Sequence, residues 1–193
     1  MNIYIKLIHI SILLAAFGKV SAQAYLTNAS IEDLPADATM PTGWFAASEG
    51  TTPDILPGYW GVYLEPEDGE SYVGLISRSD DSYESMSQRL KQPLDEGTCY
   101  SMGLYLAHSD NYTGYNEPLK ARIWIADKKN KRTQLIYESS TLDDEEWQYH
   151  KFNFTPEKEM KYLIIEAYNH NDKAVKGNIL IDGISEIYHC DRV

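Results

Sequence analysis

Only two of the 193 residues are cysteines, Cys99 and Cys190. That is too few for a disulfide-dense scaffold or for a zinc site built from cysteine alone. Positive charge is also scarce, with 17 Lys and Arg against 29 Asp and Glu and a formal net charge of −12. Such a chain as a whole is repelled by nucleic acid and by anionic membranes, so neither is an expected partner. Long apolar runs are missing after residue 22, and a spanning helix needs roughly 20 such residues. No amphipathic helix of more than ten residues is visible, which argues against helix bundles and α/β folds. The common catalytic signatures are absent too: there is no G-x-S-x-G, no H-E-x-x-H and no Gly-rich phosphate loop. His108, His150, His170 and His189 are scattered, without the i, i+4 spacing of a metal pair. Asp182 and Glu186 would share one side of a strand roughly 13 Å apart, too far for a glycosidase carboxylate pair. The expectation is a protein that is not an enzyme.

What the sequence does contain begins with an apolar run at 7–17, preceded by Lys6 and followed by the small residues of Val20-Ser21-Ala22. This is the pattern of a signal peptide over 1–22, with Gln23 opening a single domain at 23–193. The leader carries Lys6 and Lys19 and no acid, so its removal makes the mature chain two units more negative. No cysteine follows the cleavage position, which argues against a lipid anchor. The expected location is the periplasm, the cell surface or the exterior. In such an oxidising compartment one Cys99–Cys190 disulfide is the economical reading. The open alternatives are two buried thiols, or a metal site that two thiols cannot complete. A bridge across so long a loop would contribute on the order of 4 kcal/mol in the chain-entropy model.

Period-2 alternation recurs along the chain. In 99–108, Tyr100, Met102, Leu104 and Leu106 share one face, while Ser101, Gly103, Tyr105 and Ala107 share the other. Segments 71–76, 121–126, 134–138, 148–154, 162–168 and 178–187 continue the series, bounded by Gly, Pro, Asn and Asp. Residues 82–91 carry slight helical spacing through Met86 and Leu90 but read better as a strand. Seven or more such runs predict an all-β sandwich or barrel. Two stretches, 27–69 and 108–118, are long and irregular. Their aromatic content predicts ordered, functional loops and not disorder.

Several of these residues fall into a known order. Asn28-Ala29-Ser30-Ile31-Glu32 followed by Pro41-Thr42-Gly43-Trp44 resembles the opening of galactose-binding-like jelly rolls, the superfamily that includes many carbohydrate-binding modules. Gly97-Thr98-Cys99-Tyr100-Ser101-Met102 looks like its central strand, and 178–185 looks like its closing strand. Thr52-Pro53-Asp54-Ile55, Gly58-Tyr59-Trp60 and 68–74 are similar to exported domains of Bacteroidetes. The resemblance implies a two-sheet antiparallel jelly-roll β-sandwich, Cys99 and Cys190 together at one sheet edge, and a glycan-binding role. It also implies a structural calcium, with Glu32 and Asp182 at the family's carboxylate positions and Asn28 adding an oxygen; calcium takes six to eight oxygen ligands.

Sugars present apolar C–H faces that stack on rings, and hydroxyls that need planar polar partners. Trp60, Tyr112, Tyr115 and Trp124, beside Asn111, Asn116, Glu117, Arg122 and Glu166, supply those residue types. Tyr112 and Tyr115, in a polar loop, are the favoured ring platforms, and Trp44 and Trp147 are assigned to packing. The expected protein is a monomeric recognition module for a glycan. The alternative is an accessory subunit of a cell-surface assembly, of the export or gliding-motility type, that binds a protein partner.

Overall fold

The computed structural model describes residues 26–169 and 173–190. The signal-peptide segment and His170 lie outside the described residues. Twelve strands follow in order: β1 Phe45–Ala46, β2 Asp54–Leu56, β3 Tyr72–Ser77, β4 Ser85–Leu94, β5 Tyr100–Ala107 and β6 Glu117–Pro118; then β7 Lys120–Ala126, β8 Gln134–Glu138, β9 Gln148–Phe154, β10 Met160–Tyr168, β11 Gly177–Asp182 and β12 Tyr188–His189. Among the described residues there is no helix, and so none long and apolar enough to cross a membrane.

The strands form two sheets. One has five strands in the order β1-β4-β10-β7-β8. The other has seven, with the path β12-β5-β11-β3-β2, β9 pairing with β5 and β6 with β11. All pairings are antiparallel except β6 with β11. This is the two-sheet jelly-roll sandwich that the sequence predicts. Alternation places Tyr100, Met102, Leu104 and Leu106 of β5 in the core between the sheets, against Ile123 and Ile125 of β7 and Leu163 and Ile165 of β10. Trp44 joins this core, as expected. The ambiguous 82–91 region is the strand β4, because Met86, Leu90 and Leu94 alternate inward across ten residues.

One strand expectation needs correcting. The closing segment is not continuous: β11 stops at Asp182 and the chain turns at Gly183 before β12. Asp182 and Glu186 therefore do not share a strand. The turn lets β12 run beside the start of β5, pairing Tyr188 with Ser101 and His189 with Tyr100. That register brings the cysteines together, and the Cys99–Cys190 disulfide is formed, with Cα atoms 5.4 Å apart.

The outward side chains of the two sheets meet different surroundings. On the seven-stranded sheet, Tyr72 and Ile76 of β3, Leu180 of β11 and Ala107 of β5 form a second, smaller core with Leu56, Val62 and Tyr112. The two irregular loops thus fold back as a roof over this sheet. On the five-stranded sheet the outward side chains are mostly polar, charged or aromatic, with exposed Leu135 beside them, around a small cluster of Ala47, Ala126 and Ile164.

Candidate functional site

The loop between β2 and β3 presents Trp60. Its backbone φ is +53°, a left-handed conformation that a bulky side chain rarely adopts and that stores roughly 1–3 kcal/mol. Neighbouring groups hold it there. The Trp60 carbonyl accepts the Thr113 backbone N–H and the Thr113 hydroxyl, both at 2.8 Å. Its indole N–H donates to Asp37 Oδ1 at 2.8 Å. The next residue must be glycine: Gly61 has φ +83°, and a Cβ there would stand 2.7 Å from the Asn111 carbonyl oxygen. The indole is nonetheless 44% exposed, beside Tyr59 at 39% and Tyr63 at 72% on the same loop. A fixed backbone thus carries exposed rings.

The expected platform at Tyr112 is overturned. Tyr112 is only 1% exposed and belongs to the roof's core. Its ring lies across Gly74 of β3, where a Cβ would stand 2.8 Å from the ring, and its hydroxyl donates to Asp54 Oδ2. Asp54 Oδ1 accepts the Ala38 N–H at 2.8 Å. Burial raises the Asp54 carboxyl to about 6, although the Tyr112 hydroxyl and the Ala38 N–H pull it back. The same burial, with Asp54 beside it, pushes the Tyr112 phenol up. Tyr112 is therefore a pin that fastens the 108–118 loop. A signal for it stood in the sequence: a glycine inside a buried strand marks the close approach of another group.

Tyr115 is half-buried, edge-on to Tyr112 with centroids 6.3 Å apart, and Lys176 Nζ lies 5.5 Å from its ring. Asn111 is exposed, and its amide reaches Glu145 at 3.4 Å. Asn116 and Glu117 line an open groove of about 490 Å³ with Ser79 and Lys176. Trp147, assigned to packing, meets Tyr72 edge-on at 5.2 Å and donates to the Glu65 carbonyl at 2.8 Å.

The remaining three ring-site residues come together elsewhere, on the outer face of the five-stranded sheet. Register sets Trp124 opposite Ile164 and Arg122 opposite Glu166. Trp124 Nε1 donates to Glu166 Oε1 at 2.9 Å, and Arg132 pairs with the other carboxylate oxygen while also donating to Ser48 and Ser85. Arg122 pairs with Glu138 at 2.7 Å and lies 3.1 Å over the Tyr168 ring. Hydrogen bonds from Arg122 and Lys120 hold the Glu138 carboxyl below its usual range. Glu166 is buried, so its carboxylate is occupied within the protein.

The three residues expected to hold calcium accept backbone N–H groups of the protein. Asp182 Oδ2 accepts backbone N–H groups from Glu67 at 2.8 Å and Asp68 at 3.0 Å, and Oδ1 accepts Gly183 N–H at 2.7 Å. Glu32 Oε2 accepts the Glu70 N–H at 2.9 Å, and Asn28 Oδ1 accepts the Glu32 N–H at 2.8 Å. A hard cation needs converging oxygen lone pairs, and here both lone pairs of Asp182 Oδ2 and one on each of Asp182 Oδ1, Glu32 Oε2 and Asn28 Oδ1 are taken by N–H donors. No three His, Cys, Asp or Glu side chains among the described residues converge on a metal position. Asp182 instead stitches the 65–70 turn onto β11. Burial raises its carboxyl to about 6 despite those donors.

No protein-family model matches the chain, and no curated protein matches it. Solved structures do. The CBM22-1 xylan-binding domain of Paenibacillus barcinonensis Xyn10C is 13% identical, with 78% of this chain and 88% of that one covered and a TM-score of 0.53. The K1 cleaved adhesin domain of Lys-gingipain from Porphyromonas gingivalis W83 is 11% identical, with 79% and 94% covered and a TM-score of 0.53. A Stig cyclase from Fischerella is 9% identical, with 90% and 100% covered and a TM-score of 0.58. At such identities the likeness concerns the fold alone, a jelly-roll sandwich. It hosts binding domains and an enzyme alike, so function has to be argued from the site.

Proposed function

We propose that this chain is an exported, non-catalytic recognition module that binds carbohydrate on the ring platform of the β2–β3 loop, with Trp60 at its centre. The observation that carries this reading is an exposed tryptophan held in a left-handed backbone conformation by Asp37, Thr113 and the tight Gly61–Asn111 approach. Strain of this kind persists where the surroundings over-determine it, and such places are often binding sites. A preorganised ring loses little freedom when a sugar ring stacks on it. Asn111 and Thr113, exposed beside it, are suited to sugar hydroxyls. The buried carboxylates Asp54, Glu84, Glu166 and Asp182 all accept hydrogen bonds from the protein itself, which supports binding without chemistry. Export is supported by the formed disulfide.

The test is a polysaccharide and oligosaccharide array probed with the folded protein and with Trp60→Ala. The expected loss is on the order of 2 kcal/mol, about thirtyfold in affinity, for a central aromatic anchor. A melting curve checks that the variant folds, because the substitution also removes the indole hydrogen bond to Asp37. If the folded protein binds no glycan, the reading fails, and a protein partner of an accessory subunit takes its place.

A further inference from the structure

The scarce positive charge is not spread evenly. No Lys or Arg occurs between residues 20 and 77, a span that holds nine carboxylates. The cations collect instead in β4, in β7, in the 127–133 hairpin and around the start of β10, all parts of the five-stranded sheet. Most of them are committed: Lys120 and Arg122 to Glu138, Arg132 to Glu166, and Lys131 and Lys158 to Asp127. Arg89 and Lys91 are exposed and pair with no carboxylate among the described residues.

These two line a groove of about 340 Å³ on the outer face, together with Leu90, Pro93 and Lys161. The volume is that of a small ligand site. Two features of the backbone build it. Alternation along β4 sends Met86, Leu90 and Leu94 into the core and Arg89, Lys91 and Pro93 outward. In β10 the register with β4 shifts between Met160 and Tyr162. Met160 and Leu163 both lie in the core, so the irregularity sends two successive side chains, Lys161 and Tyr162, to the outer side. Lys161 reaches the groove while pairing with Glu159 at 2.7 Å. Tyr162 stands directly across from Arg89. Its ring meets Phe45 edge-on at 6.3 Å, and Lys129 Nζ lies 4.4 Å from the Phe45 ring. Arg89 of β4, Tyr162 of β10, Phe45 of β1 and Lys129 of the 127–133 hairpin therefore form a series of cation, ring, ring and cation.

From this arrangement we infer a second site, separate from the Trp60 platform, that takes an acidic polysaccharide. The negative groups, uronate carboxylates or sulfate esters, sit in the groove of Arg89, Lys91 and Lys161, and the adjoining sugar packs on Tyr162. A linear polyanion with a charge on every sugar fits a strip in which positive groups recur on both sides of rings. A surface otherwise so acidic repels polyanions that approach anywhere else, which orients such a chain onto this strip.

The experiment measures affinity for polygalacturonate, for dextran sulfate and for neutral xylan, in the native protein, in Arg89→Gln/Lys91→Gln and in Trp60→Ala. Both substituted cations are exposed, and a melting curve confirms that the double variant folds. The expected result is binding of at least one polyanion that falls at least tenfold in the double variant. It should also fall at least tenfold between 50 and 300 mM salt, because exposed charges are screened. The polymer that shows the larger loss identifies carboxylate or sulfate as the preferred group. Polyanion affinity equal in the native protein and the double variant overturns the proposal, as does failure to bind either polyanion. Equal, salt-matched binding to duplex DNA or to anionic vesicles also overturns it, since the strip would then be a general anion surface. Loss of xylan binding in Trp60→Ala concerns the other platform, so the two readings fail separately.

Discussion

The two outer faces of the sandwich begin from the same strand alternation and end in different chemistry. Over the seven-stranded sheet, β3 and β11 turn Tyr72, Gly74 and Leu180 outward, and the 57–64 and 108–118 loops roof them. Over the five-stranded sheet, β7 and β10 turn Arg122, Trp124, Tyr162 and Glu166 outward, and the hairpin arginine Arg132 reaches Glu166. The first face buries carboxylates by giving them neutral donors: Tyr112 for Asp54, and backbone N–H groups for Asp182. The second pairs its carboxylates with guanidinium and ammonium groups. A neutral donor leaves the burial penalty largely standing, so those carboxyls rise. Glu138 and Asp127 lie nearer the surface and bear little burial penalty, so the cations that hydrogen-bond to them lower their carboxyls.

Replacing Tyr112 with alanine should break the first face most severely. It removes the ring that fills the space over Gly74 and leaves Asp54 without its hydroxyl donor, a loss of about 4 kcal/mol in urea unfolding. A loss under about 1 kcal/mol would mean that the roof is not a packed layer, and Tyr112 would return as a ligand candidate. On the opposite face, Arg132→Ala leaves the buried Glu166 carboxylate with only the Trp124 indole. The expected loss is about 3 kcal/mol, and Arg132→Met/Glu166→Leu should recover most of it. A double variant as unstable as the single one would show that Arg132 acts through Ser48 and Ser85 instead.

The dependence on pH sharpens the contrast. Asp54 and Asp182 have folded-state values of about 6, above the ordinary carboxylate value of 3.8. The folded state therefore binds their protons more tightly than the unfolded chain. Their contribution to stability is present below the unfolded value and is lost as pH rises through about 6. Asp127 and Glu138 are lowered, by Lys158 and by Arg122 first of all, so their contribution is lost as pH falls below the ordinary carboxylate range. Melting temperature should therefore peak between these windows, near pH 4–5, and Asp54→Asn should flatten the decline toward neutrality. A melting temperature that climbs steadily from pH 4 to 7 would contradict the assignment of Asp54 and Asp182.

Much of the fold was legible because alternation is a local property. The inward residues of β5 and β7, and of β10 from Leu163 onward, are apolar at every second position whatever lies across from them. Candidate sites were legible only as residue types. Arg122, Trp124 and Glu166 do meet, because β7 and β10 are neighbours, but as a salt-bridged surface. Tyr112 and Tyr115 looked alike in a polar loop, and only the depth of the roof separates them. Tyr59 and Tyr63, exposed on the same loop as Trp60, were not singled out as site residues, since nothing in a tyrosine's immediate neighbours tells whether its ring faces solvent. Asp182 and Glu32 matched a metal pattern, yet the backbone N–H groups that occupy them belong to a turn folded from residues 67–70.

The sequence alone determined which side of each strand is apolar, because period-2 alternation is local; that pattern allowed a sandwich or a barrel, and the two-sheet sandwich was what the family resemblance implied. It also determined that Cys99 and Cys190 were the pair available for bridging. Only the tertiary structure decided what covers each outer face, and hence which rings and charges reach solvent. The reason is that a strand fixes the direction of its side chains within itself, whereas exposure depends on which distant loop or hairpin comes to lie above them.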